Sequence, residues 1–171
     1  MSRILLDVNV MLDAVLRREP HYEAAREIWR AAEMNRVEAL VPAHGVTTLY
    51  YVVARARGAS FARQTIAGLL SACRIAAVTD SVVRTALALP WRDFEDAVCA
   101  ASAEAAGCDL LVTRDPRGFP DSPVPVVDPQ TALALLQRGG DPDSVAERPA
   151  RYRRIRKPRA RKRGRPPAIP A

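Results

Sequence analysis

The chain has 171 residues, 49% of them hydrophobic, which supplies one substantial core and gives no sign of a second. No apolar run approaches the ~20 residues needed to span a bilayer. The N-terminus also enters an apolar strand without a signal-like charged segment, so a cytoplasmic protein without membrane contact is expected. The net charge of +7 is uneven: residues 151–171 carry ten Arg or Lys and no acid, leaving 16 basic against 19 acidic side chains in residues 1–150.

Arg3 to Asp7 is apolar without polar alternation, the pattern of a strand buried on both faces, and it ends on a carboxylate. After Pro20, Ala25, Ile28, Trp29 and Ala32 recur at helical spacing opposite Glu23, Arg26, Glu27 and Arg30, predicting an amphipathic helix. Glu38 to Val41 predicts a second strand stopped by Pro42, and Val46 to Arg57 a helix ended by Gly58. Ser60 is the expected cap of the next helix, which runs to about Ala72. Ile75 to Val78 predicts a third strand, followed by a helix capped by Asp80 or Ser81 and stopped at Pro90. Asp93 opens a helix over Phe94 to Ala106, closed by Gly107. Leu110 to Thr113 reads as a fourth strand and Val124 to Val127 as a weaker fifth, before a last helix from about Thr131 to Gln137.

This alternation predicts a three-layer α/β/α fold with a central, mainly parallel sheet of about five strands and chemistry at the strands' carboxyl ends. From Gly139 onward Pro, Gly and charge replace the apolar periodicity. The expected organisation is a domain over 1–137, a linker over 138–150 and a disordered basic tail over 151–171. Cys73, Cys99 and Cys108 lack the paired spacing of a zinc knuckle or redox motif and read as small buried hydrophobes.

Asp7 closes the first strand and Asp115 lies just past the fourth. Singly, each acid has an ordinary explanation: Asp7 and Asp115 as turn formers, Asp93 and Asp96 as a helix cap. Jointly they say more. If the first and fourth strands are neighbours, about 4.8 Å separates their backbones and the strand-end carboxylates share a small volume, which Asp96 can join from a helix N-terminus. Clustered carboxylates repel unless a cation neutralises them. An all-oxygen set suits Mg²⁺ or Mn²⁺, and no Cys/His set stands ready for zinc.

Ile4-Leu5-Leu6-Asp7-Val8-Asn9-Val10-Met11-Leu12-Asp13 resembles the opening strand and loop of PIN domains. Asp93-Phe94-Glu95-Asp96-Ala97-Val98 resembles the helix start that carries their third acid, and Leu111-Val112-Thr113-Arg114-Asp115 the strand that delivers the fourth. Order and spacing agree over residues 1–137. The resemblance implies a metal-dependent endoribonuclease like the VapC-type toxins, with RNA as substrate, a homodimer and a small inhibitory antitoxin as partner. It implies that Asp7, Asp96 and Asp115 are catalytic and hold Mg²⁺ or Mn²⁺, which acidifies a bound water and offsets charge on the phosphate. Thr113 could support a carboxylate or a metal-bound water, and Asn9 stands beside Asp7.

The chain departs from the family at one point. Members generally carry a Glu on the helix after the second strand, and Ala43 to Tyr51 contains no carboxylate. The vacant position falls near Thr48, and Asp93, one turn before Asp96, could compensate. The alternative is a catalytically weak module that binds nucleic acid or regulates a partner. His44 near a strand end is a general-base candidate, though a lone loop histidine is more often a surface or turn residue. Tyr50 and Tyr51 could stack a base or pack in the core or a subunit interface. A phosphoacceptor receiver domain is disfavoured, because no lysine precedes Lys157.

The ten cations of residues 151–171 can neutralise phosphates and release counterions, giving salt-sensitive DNA or RNA contact. Within them Lys162-Arg163-Gly164-Arg165-Pro166 resembles the AT-hook core, an extended strand suited to the narrow minor groove of A·T-rich DNA.

Overall fold

The computed structural model describes residues 1–137, so the linker, the basic tail and the AT-hook-like segment lie outside the described residues. Five short strands pair in parallel: β1 (Arg3–Leu6), β2 (Glu38–Pro42), β3 (Arg74–Ala76), β4 (Leu110–Val112) and β5 (Val126–Val127), in the order β3-β2-β1-β4-β5. Leu5 stands opposite both Leu40 and Leu111 in the register. Seven helices cover the sheet: α1 (Val8–Leu16), α2 (Tyr22–Glu33), α3 (Ala43–Arg57), α4 (Ala59–Ala72), α5 (Asp80–Leu87), α6 (Phe94–Ala105) and α7 (Pro129–Gln137). This is the three-layer α/β/α architecture expected from the alternating pattern.

The absence of polar alternation in β1 follows from burial on both faces. Ile4 and Leu6 pack with Ala39, Val41, Leu110 and Val112 against Leu12, Ile28, Leu49 and Leu69 of helices α1 to α4. Leu5 points the other way, joining Leu40, Ala76 and Leu111 against Cys99, Ala100 and Ala103 of α6. Small side chains along α6 let that helix lie close to the sheet. All three cysteines are buried and free, as their spacing suggested, and burial pushes the Cys73 and Cys108 thiols up to about 12. Among the described residues no helix is long and apolar enough to cross a membrane.

Helix α1 is absent from the sequence-based expectation. Val8, Val10, Met11 and Leu12 are all buried and Asp13 with them, so only Asn9 remains as a polar residue outside the buried set, and a helix apolar on most sides is a buried one. Helix ends also shift. α3 starts at Ala43 rather than Val46, and α4 is entered through Gly58 at φ 88 rather than capped by Ser60. α5 is capped by Thr79, whose hydroxyl accepts the Val82 N–H at 3.3 Å, in place of Asp80 or Ser81. α7 begins at Pro129, two residues before the expected Thr131, because Asp128 caps it and proline suits a first helical position.

Candidate active site

Strand order reverses between β1 and β4: the chain moves outward through β2 and β3, then returns to the other side of β1. Open α/β sheets bind ligands at the carboxyl edge of such a switch point. Asp7 stands there, directly after β1 and at the entry to α1, with its backbone N–H bonded to the Val112 carbonyl at 2.9 Å. The residue is only 7% exposed. Asp7 Oδ2 accepts from Thr113 Oγ1 at 2.9 Å and from Asn9 Nδ2 at 3.4 Å. Thr113 in turn accepts the Asp115 backbone N–H at 3.3 Å, so one buried hydroxyl ties the two strand-end acids together.

Asp96 arrives from α6. Asp93 is the N-cap of that helix, accepting the N–H groups of Glu95 at 2.8 Å and Asp96 at 3.3 Å. Asp93 thus fills the ordinary capping role while placing Asp96 in the first turn. The 3-10 turn Pro116–Gly118 follows Asp115, and Trp91 before α6 packs edge-on against Phe119 behind that turn, ring centroids 5.7 Å apart. The two segments therefore close on each other. A Cβ built on Gly118 would stand 3.0 Å from Asp96 Oδ2 and 3.9 Å from Asp115 Oδ2, so both carboxylates meet over a residue that has no side chain.

The electrostatics match this crowding. Burial, then the neighbouring Asp93, Asp7, Glu95 and Asp115, push the Asp96 carboxyl up to about 7. Among the described residues no three His, Cys, Asp or Glu side chains close into a ligand set of their own. The donors present are hard carboxylate oxygens in an open arrangement, which fits an ion that keeps several of its waters and not a protein-enclosed one.

Thr48, where the resemblance leaves the second acid missing, has its hydroxyl 3.5 Å from the His44 carbonyl, and no hydrogen bond joins it to Asp7, Asp96 or Asp115. Gly45 lies in the first turn of α3, where a Cβ would press on Pro42 Cγ at 3.3 Å and make ordinary contact with Val8 Cβ at 3.7 Å. His44 is half-buried, with Nε2 3.9 Å from Glu95 Oε1. Burial holds its imidazole below the ordinary range, against the opposing pull of Glu95 and Asp7. Tyr50 packs against the core, whereas Tyr51 is exposed. Sequence reasoning did not single out Glu95, Gly118, Asp13 or Arg114. The first two gain meaning only from neighbours on other segments, and the last two sat inside the quoted motifs without a role.

An open parallel sheet with carboxylates gathered at its switch point defines the class: an α/β domain with an acidic site at the strands' carboxyl edge. The chain belongs to the PIN domain family, which it matches over residues 3–117. Among solved structures it is similar to VapBC2 from Rickettsia felis bound to a promoter DNA fragment, with a TM-score of 0.58 and 16% identity, covering 74% of this chain and 98% of that one. It is similar to the DNA-bound VapBC of Salmonella typhimurium, with a TM-score of 0.58 and 16% identity over 75% of this chain and 99% of that one. A third likeness is VapC20 of Mycobacterium tuberculosis, described as a toxin that cleaves the sarcin-ricin loop, with a TM-score of 0.52 and 15% identity over 63% of this chain and 86% of that one. No curated protein matches the chain.

Proposed function

We propose that this PIN domain is a metal-dependent endoribonuclease of the VapC type, with Asp7, Asp96 and Asp115 holding Mg²⁺ or Mn²⁺. The observation that carries this reading is the junction at Gly118, where Asp96 and Asp115 approach one point while Thr113 links Asp7 to Asp115. Bound there, the ion would supply an acidified water nucleophile and neutralise charge on the scissile phosphate. The protein's own contribution is orientation. Thr113 Oγ1 holds Asp7 and the Asp115 backbone, Asp93 caps α6 so that Asp96 faces the site, and Trp91 against Phe119 keeps the 3-10 turn on α6. Asn9 assists Asp7 from the other side.

The toxin–antitoxin complexes among the similar structures support an antitoxin protein as partner, and the relative described as cleaving the sarcin-ricin loop supports RNA as substrate. A homodimer and a cytoplasmic location complete the reading. Lys162, Arg163, Gly164, Arg165 and Pro166 would add DNA or RNA contact from the basic tail. A second reading, a catalytically weak nucleic-acid-binding or regulatory module, is favoured by one observation: Thr48 offers a hydroxyl turned onto its own helix where the family generally has an acid.

The test is cleavage of a panel of structured RNAs with Mg²⁺, Mn²⁺ or EDTA. Cleavage that needs the metal and falls at least ~100-fold in Asp96→Asn supports the enzyme. RNA binding that survives Asp7→Asn and Asp96→Asn, without cleavage by any form, supports the module.

A further inference from the structure

Asp13 is a fully buried carboxylate on α1, one helical turn beyond Asn9, with 0% exposure. Its Oδ1 accepts from Arg114 Nη1 at 3.2 Å, while Oδ2 has no hydrogen-bond partner. Burying such a pair adds little stability over apolar packing, because desolvation cancels most of the Coulombic gain. The pair does hold Arg114 in place. From Nη2 the same guanidinium donates to Asn9 Oδ1 at 3.4 Å, and Asn9 Nδ2 donates to Asp7 Oδ2 at 3.4 Å.

The polarity of this relay leaves one arrangement. Arginine only donates and a carboxylate only accepts, so the Asn9 amide must turn its oxygen to Arg114 and its nitrogen to Asp7. Thr113 places its hydroxyl on the same Asp7 oxygen. Oδ2 therefore takes both donors, and among the described residues no donor falls on Asp7 Oδ1. Thr113, Arg114 and Asp115 are consecutive, so a single segment after β4 reaches Asp7 both directly and by way of α1.

We propose that Asp13 and Arg114 are positioning residues: their ion pair, acting through the Asn9 amide, fixes the Asp7 carboxylate with Oδ2 occupied and Oδ1 left for a divalent cation. This rests on the reading of Asp7 as a metal ligand. Partners one step behind a ligand commonly change metal affinity by about 10- to 100-fold when removed.

The full-length protein is titrated with Mn²⁺ and free ion is followed by electron paramagnetic resonance, beside thermal unfolding of each variant. Asp13→Asn, Arg114→Gln and Asn9→Leu are each expected to weaken Mn²⁺ binding about tenfold or more. Asp13→Asn added to Asn9→Leu should cause no further loss, because the relay is already cut. Additive losses, or a lowered Tm with Mn²⁺ affinity unchanged, would overturn the proposal. Arg114→Gln, at a side chain 34% exposed, carries the test should Asp13→Asn fail to fold. Asp7→Asn separates the two levels of inference. If it abolishes Mn²⁺ binding while the Asp13 and Arg114 variants bind normally, only the positioning role falls. If it leaves Mn²⁺ binding at the wild-type level, the Asp7 assignment fails and the positioning role falls with it.

Discussion

At the scale of single residues, Asp96 and Gly118 stand in close contact at the proposed site. Burial and the surrounding acids raise the Asp96 carboxyl to about 7, and its Oδ2 faces the bare Cα of Gly118. Gly118 is not in the left-handed region, so alanine fits the backbone there, but its methyl would crowd Asp96 Oδ2 at 3.0 Å. Gly118→Ala is therefore expected to reduce metal-dependent cleavage about tenfold or more while shifting stability by under ~1 kcal/mol. Paired cleavage and melting assays check this, and unchanged cleavage would remove Gly118 from the site. Asp7, Asp96 and Asp115 were legible in the sequence as candidates because acids at apolar strand ends and helix starts stand out locally. Gly118 was not, because its role depends on Asp96, which lies on a different segment.

At the scale of elements, α7 shows how one cap sets a boundary. Asp128 accepts the Thr131 N–H at 2.9 Å and the Thr131 hydroxyl at 2.7 Å. Burial pushes its carboxyl up, but these bonds outweigh burial and hold it below the ordinary range. A depressed folded-state pKa gives stability that is present above the unfolded value, near ~3.9, and is lost as pH falls through the folded value. Asp128→Ala is expected to cost about 1 kcal/mol at neutral pH. The Tm gap from wild type should close as the medium is acidified below that range, and a gap independent of pH would contradict the assignment. The same cap explains why α7 begins earlier than its apolar spacing suggested. The missing α1 has the opposite cause: Val8, Val10, Met11, Leu12 and even Asp13 are buried together, so no polar face opposed an apolar one.

At the scale of the whole molecule, charge separates the two proposed routes to nucleic acid. The acidic site lies at the switch point of the sheet, whereas ten cations fall in residues 151–171. Removing the chain after Ala150 is expected to flatten the salt dependence of RNA binding, each lost phosphate contact changing the log–log slope by about 0.7 for a single strand. Filter binding across a salt series reads this directly. A slope equal to that of the full chain would mean that the tail contacts no phosphate.

By itself the sequence determined the alternation of strands and helices and the parallel α/β class, and offered three candidate acids, because these follow from local apolar pattern and from residue types at element ends. Only the tertiary structure decided that β1 lies beside β4, that Asp96 and Asp115 meet over Gly118, and that Asp13 reaches Asp7 through Arg114 and Asn9. Apart from the local bond of Asn9 to Asp7, these contacts join different segments of the chain, and strand order together with buried charge, neither of which has a local period, brings them together.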